Sequence, residues 1–271
     1  MQQLTANVYA GTTFHGCNSA FVITRDGAFV IDTPMVPAEA QAWRTTIEAK
    51  APVRYVINNE GHTDHICGNC YLGGTLIGTE GSRDAIRAAR KEDLAGMLRM
   101  MSPDAPEPDE TFYFRTPDIV LKGEATFYLG EHTFNILAVP GHTPYQLAVH
   151  VPEERVLFTS DNINLGTPIF FQAVPDQWLK SLDRLAEIDV DYVVPGHGEV
   201  TDRSAFPRMK ESINVWLDVI GGAVRAGLSL EEVRERAVAA REFADLPKEG
   251  PEARFFNGNV EGLYRALTGS S

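Results

Sequence analysis

In the stretch "NNEGHTDHICGN", residues 58–69, Glu60, His62, Asp64 and His65 fall within six positions, directly after the apolar run "VRYVI". Imidazole and carboxylate donors suit zinc, and equally iron or manganese. If the segment is extended, alternation puts Glu60, His62 and Asp64 on one side and His65 on the other, so that one short segment could feed two metal positions. Three further candidates stand at the ends of strand-like runs. His142 follows "ILAVPG", His197 follows "YVVPG", and Asp161 closes "VLFTSD". In the two P-G-H turns, glycine lets the chain reverse tightly and projects an imidazole above a sheet edge. Glu60, His62, Asp64, His65, His142, Asp161 and His197 are donors enough for two ions with a position left open for water. Two such cations can hold a hydroxide between them at neutral pH and polarise a carbonyl or phosphoryl oxygen. Asp64 is the candidate catalytic residue, placed to orient that hydroxide or pass a proton to the leaving group.

These residues need a framework that presents strand ends on one side, the usual location of sites in layered α/β folds. The chain supplies it. "NVYAG", "SAFVIT" and "GAFVIDT" read as strands, with "RDG" as a hairpin turn between the second and third. A helical pattern, "PAEAQAWRTTIEAK", leads to the apolar strand "VRYVINN", which ends where the donor cluster begins. "TLIGT" predicts another strand and residues 82–101 one long helix. The Pro-rich acidic stretch 102–118 predicts either a surface loop or a lid over the site. "ATFYLG", "HTFNILAVPG", "LAVHVP" and "RVLFTSD" are further strands, followed by the helix "DQWLKSLDRLAEI" and the strand "DYVVPGHG". From about residue 202 the pattern is helical. The expected division is a catalytic domain over 1–201, with C-terminal helices 202–271 packed on the same domain.

Composition narrows the function classes. At 271 residues, 44% hydrophobic and 23% charged, the chain is ordinary globular material, and no apolar run approaches the ~20 residues of a membrane span. A net charge of −13 disfavours nucleic acid, whose binding requires phosphate neutralisation. Neither nucleic acid nor membrane is expected as a partner, and the N-terminus shows no secretory signal, which points to the cytoplasm. The expected partners are a small-molecule substrate and, through the C-terminal helices, a second copy in a homodimer. Cys17, Cys67 and Cys70 are expected as reduced, mostly buried residues, with a redox or metal role for the C-x-x-C pair as the alternative. His132 and His150 read as ordinary strand positions and His15 as a loop residue. Phe112, Phe114, Phe170, Phe171 and Trp178 are either walls of a substrate pocket or core.

Taken in order, "EGHTDH", "PGHTP", "LFTSD" and "VPGHG", preceded by "GCNSAFVITRDGAFVIDTP", resemble the metallo-β-lactamase superfamily. The resemblance covers most of the chain. It implies an α/β fold, a four-layer αβ/βα sandwich of two mixed β-sheets flanked by helices. It also implies one metal position held by Glu60, His62 and His142, a second held by Asp64, His65 and His197, and Asp161 bridging them. Asp32, at the end of "FVID", matches a supporting position. Glu60 stands where the family has its first histidine; it either ligates or turns away to cap a helix or bind a supporting group. The implied cofactors are two divalent metal ions, zinc by resemblance, with iron or manganese favoured by the harder oxygen donor of Glu60. The implied function is a hydrolase acting on an acyl bond of a lactone, ester or thioester. A diiron oxidoreductase or oxygenase, or a non-catalytic metal-binding protein, are the alternatives.

Overall fold

A computed structural model describes residues 1–250 and 252–269. The chain clusters into two compact units. The first takes residues 1–138, 145–165 and 189–203; the second takes 139–144, 166–188 and the chain from Ser204 on. The chain passes from the first unit to the second for the last time at 203/204. Two earlier segments, 139–144 and 166–188, also group with the C-terminal helices. Residues 251, 270 and 271 of the expected C-terminal region lie outside the described residues.

The first unit is built on two mixed sheets. One runs in sequence order through β1 (Gln2–Gln3), β2 (Val8–Gly11), β3 (Ser19–Thr24), β4 (Gly27–Ile31), β5 (Val53–Ile57), β6 (Thr75–Thr79) and β7 (Ile119–Leu121). Its first four strands are antiparallel neighbours; from β4 to β7 the pairing is parallel. The second sheet has the order β12-β11-β10-β9-β8, from β8 (Ala125–Leu129), β9 (His132–Ala138), β10 (Leu147–Val151), β11 (Val156–Asn164) and β12 (Tyr192–His197). Only β11 and β12 pair in parallel there. The expected hairpin at "RDG" joins β3 to β4, with Gly27 at φ +130, a conformation that side chains resist.

Alternate residues of the strands fill a shared core: Val22, Phe29 and Ile57 of the first sheet with Phe134, Val149 and Phe158 of the second. Phe29 stacks on Phe134 with ring centroids 4.1 Å apart. The opposite face of the first sheet is covered by helices. In α1 (Pro37–Glu48), Ala40, Trp43 and Ile47 recur at helical spacing and pack with Phe21, Val30 and Val56. Trp43 Nε1 donates to Ser19 Oγ at 2.8 Å, so its one polar atom is satisfied.

Two short helices, α2 (Thr63–Ile66) and α3 (Asn69–Leu72), follow β5. The single helix expected over 82–101 is instead two, α4 (Glu80–Ala88) and α5 (Lys91–Met101), broken where Ala89 turns extended at ψ 145. No Gly or Pro marks the break. Leu94 and Leu98 of α5 pack into the core around Phe112, whereas α4 buries only Ser82 and Ile86. Tertiary packing thus overrides a continuous helical pattern. The 102–118 stretch is largely irregular, and its Phe112 is buried in that same core, edge-on to Phe114 at 5.0 Å. Arg115 fixes the end of the stretch by donating to Gly74 O at 2.6 Å and pairing with Asp118 at 2.7 Å.

The second unit holds α6 (Pro175–Ala186), α7 (Ala205–Trp216), α8 (Gly222–Arg225), α9 (Leu230–Ala239) and α10 (Ala253–Thr268). Its core is aromatic. Phe170 packs on Trp178 and Trp216, each at 5.7 Å, and Trp216 stacks on Phe243 at 4.2 Å. No helix among the described residues is long and apolar enough to cross a membrane.

Candidate metal centre

Three strand ends of the first unit converge on one buried cluster. Residues after β5 supply Glu60, His62, Asp64 and His65; β11 supplies Asp161, and β12 ends in His197. The extended alternation expected for 60–64 is not what forms. His62 is the extended residue preceding α2, and Asp64 and His65 lie in that helical turn. His65 is therefore not directed elsewhere. Its Nε2 lies 3.3 Å from Asp161 Oδ1, 3.6 Å from Glu60 Oε1 and 3.7 Å from Asp64 Oδ2. His197 Nε2 completes the group, 3.2 Å from Asp64 Oδ2 and 3.4 Å from Asp161 Oδ2. Glu60 is fully buried, paired through Oε2 with His62 Nδ1. Its carboxylate faces the cluster rather than a helix end.

The donor set fits a cation. His65 Nε2 is buried without a hydrogen bond of ordinary geometry, while three carboxylate oxygens surround it. Such a group is costly to bury unless something positive shares it. One donor atom each from Asp64, His65 and His197 lie within 4.8 Å of one another, as do those from Glu60, His65 and Asp161. His65 Nδ1 faces Asp32 Oδ2 at 3.2 Å, an arrangement that leaves Nε2 as the lone-pair nitrogen when Nδ1 carries the proton.

The histidines and carboxylates of the cluster shift one another's titration. Burial alone would lower the His65 imidazole, but Cys17, Glu60, Asp64 and Asp161 hold it well above its ordinary value. His197 follows the same logic, raised by Asp161 and Asp64 against its burial. Burial would raise the Asp161 carboxyl, yet His197 and His65 hold it well below the usual range, and Asp64 is lowered likewise. Asp32 goes the other way, raised chiefly by burial.

Several residues that position the cluster carry no motif. The backbone carbonyl of His65 accepts from Thr33 N at 3.0 Å, Thr33 Oγ1 at 2.9 Å and Asn58 Nδ2 at 3.1 Å. Asn18 clamps the turn before His197, donating from Nδ2 to Pro195 O at 2.9 Å and Gly198 O at 2.8 Å and from its backbone to Gly196 O at 2.7 Å. Asn59 N donates to Asp32 Oδ1 at 2.8 Å. Gly196 is required by close approach: a Cβ there would overlap Asp161 Oδ1 and come within 2.7 Å of Asp161 N.

His142 belongs to the second unit. Its Nδ1 donates to Ile169 O at 3.0 Å and its ring sits edge-on to Trp178 at 5.8 Å. Asn259 holds the same loop, donating to Pro168 O at 2.7 Å and accepting from Phe170 N at 2.8 Å. A cavity of about 320 Å³ opens in this unit, lined by Ile169, Trp216, Leu246, Pro247 and Phe256 among others, with Glu252 contributing a carboxylate. Phe112, Phe170 and Trp178, expected either as pocket walls or as core, are core; Phe171 is partly exposed and stacks on Phe255.

The remaining candidates stay outside the cluster's donor set. His132 is buried in β9 and bonds Glu154 at 2.6 Å, His150 lies in β10, and His15 pairs with Glu39 at 2.8 Å on the surface. All three cysteines are free. Burial pushes the Cys17 thiol up to about 11 and raises Cys67 and Cys70 as well, so none is primed as a thiolate.

Comparison with known proteins identifies the family and the fold. The family profile described as "Metallo-beta-lactamase superfamily" matches residues 12–197. "Beta-lactamase-like protein 2 homolog" of Caenorhabditis elegans is 23% identical over 87% of this chain and 73% of its own. "2,4-dinitroanisole O-demethylase subunit alpha" of Nocardioides sp. is 26% identical over 82% of this chain, which spans only 62% of that relative's length. "Hydroxyacylglutathione hydrolase" of Bartonella henselae is 34% identical, over 33% of this chain and 36% of its own. Among solved structures, a metallo-beta-lactamase family protein from Thermus thermophilus superposes with a TM-score of 0.70, covering 99% of this chain and 96% of its own at 17% identity. A metallo-beta-lactamase from Pontibacter korlensis gives 0.62 over 79% and 97%, at 21% identity.

Proposed function

Because this chain belongs to the metallo-beta-lactamase superfamily, we propose that it is a dinuclear metal-dependent hydrolase acting on an acyl bond of a small, neutral organic substrate. The observation that carries the reading is His65 Nε2, buried without a hydrogen bond of ordinary geometry and ringed by oxygens of Glu60, Asp64 and Asp161. In this reading Asp64, His65 and His197 would hold one cation, Glu60 and His62 would contribute to a second, and Asp161 to both. Two such ions supply Lewis acidity toward an acyl oxygen and make water available as a nucleophile at neutral pH.

The chain's own groups do the rest. Asp32 holds His65 through Nδ1, and Ile169 O holds His142 through Nδ1, which leaves each Nε2 for coordination. Asp64 is the proposed proton carrier: the carboxylate oxygen left free by coordination would accept the proton of the attacking water and deliver it to the leaving oxygen or sulfur. The apolar cavity of the second unit, with Glu252 as a charged lining residue, suits a neutral ring or alkyl group better than an anion.

Turnover by metal-loaded protein against lactones, esters, thioesters including an acylglutathione, phosphoesters and β-lactams is the test. Hydrolysis of neutral esters or lactones above acylglutathione is expected; phosphoester turnover alone would overturn the reading. The likeness to the O-demethylase subunit over most of the chain supports a second substrate, a nitroaryl methyl ether, from which water would displace methoxide as methanol. Adding 2,4-dinitroanisole to the panel decides it.

A further inference from the structure

Ser160 sits at φ +46, in the left-handed region that residues bearing a Cβ avoid, immediately before the metal-facing Asp161. The β11–β12 register shifts on both sides of it, so the chain is bent there and the bend aims Asp161. A glycine would relieve the conformation at once. Serine instead places a buried hydroxyl 2.9 Å from Asp32 Oδ2, 3.2 Å from His65 Nδ1 and 3.4 Å from Glu60 Oε1. The hydroxyl oxygen can accept from His65 Nδ1–H while its single proton is shared between Asp32 Oδ2, the nearer acceptor, and Glu60 Oε1. Through it Glu60, the residue distinguishing this centre from a histidine-first one, is joined to the Asp32–His65 pair.

We propose that Ser160 is a positioning residue matched to Glu60: its hydroxyl holds the Glu60 carboxylate facing His65, and it would have no equivalent task beside an imidazole at position 60. The proposal rests on the reading of this cluster as a metal centre. A glutamate ligand has three side-chain torsions against two for histidine, and two equivalent oxygens of which only one need ligate, so more of its orientation has to be fixed from outside. Strain at residue 160 persists because that hold is useful.

The test is a double-mutant cycle read by metal affinity, using Mn(II) and Zn(II) alone in chelator competition. S160G relieves the backbone and removes the hydroxyl; S160A removes only the hydroxyl. Each is expected to lose about tenfold in Mn(II) affinity in the native background, a typical effect of removing a residue that orients a ligand, and less than twofold when combined with E60H. The metal-free S160G protein should melt no lower than the native one. An equal loss in the E60H background would show that the hydroxyl acts through Asp32 and His65 alone, and no loss in either variant would remove its role altogether; both overturn the pairing. Failure of the native chain to bind either metal would instead overturn the metal-centre reading, and the pairing with it.

Discussion

At the scale of single residues, the centre depends on groups with no chemistry of their own. Gly196 leaves room for Asp161, and a methyl group there meets the carboxylate and its own backbone. Gly196→Ala is expected to lose bound metal by elemental analysis and turnover with it, while His150→Ala, in a strand away from the cluster, keeps both. Glu60→His exchanges a harder anionic donor for a neutral nitrogen. It is expected to shift metal content toward zinc when protein is grown with balanced zinc, iron and manganese; identical contents would show that Glu60 does not tune the site. The grouping of Glu60, His62, Asp64, His65, Asp161 and His197 was suggested by sequence because histidines and carboxylates at or near strand ends are chemically conspicuous. Ser160 was not, because its importance lies in a backbone angle that serine does not announce.

At the scale of elements, short polar latches fix where strands and helices begin. Thr79 caps α4, accepting from Ser82 N at 3.1 Å while Ser82 Oγ accepts from Thr79 N at 2.8 Å. Thr79→Ala should cost about 1 kcal/mol in denaturant melts. Glu154, just after β10, ties Thr5 and Asn7 near β2 to His132 in β9. Burial alone would raise its carboxyl, but the bonds from His132, Thr5 and Asn7 outweigh that and hold it low. A carboxylate depressed on folding stabilises fully above its ordinary value near 4.5, and that contribution disappears as pH falls through the lower folded value. Glu154→Gln should therefore flatten the loss of stability between about pH 5 and pH 3, measured by thermal melts. The strands were readable from alternation and turns; the α4–α5 break and the helical turn at 63–66 were not, because each follows from what Leu94, Leu98 and His65 pack against rather than from local pattern.

At the scale of the whole molecule, acidic side chains at the centre oppose one another unless a cation or bound protons offset them. Stripping metal with a chelator should lower the melting temperature, and restoring it at a hundredfold excess over Kd should return about 2.7 kcal/mol. The division into two units was partly hidden from sequence, since 139–144 and 166–188 are separated from the C-terminal helices by strands of the other unit. Only three-dimensional contact reveals that grouping.

The placement of the three tryptophans also equips the protein with its own optical reporters. Trp43 is enclosed in the first unit, whereas Trp178 and Trp216 belong to the second, where Trp216 forms part of the cavity wall and Trp178 lies against His142. Intrinsic emission from a Trp43→Phe variant would therefore register ligand entry and events at His142 with no added label. A variant keeping Trp43 alone would follow the sheet-bearing unit.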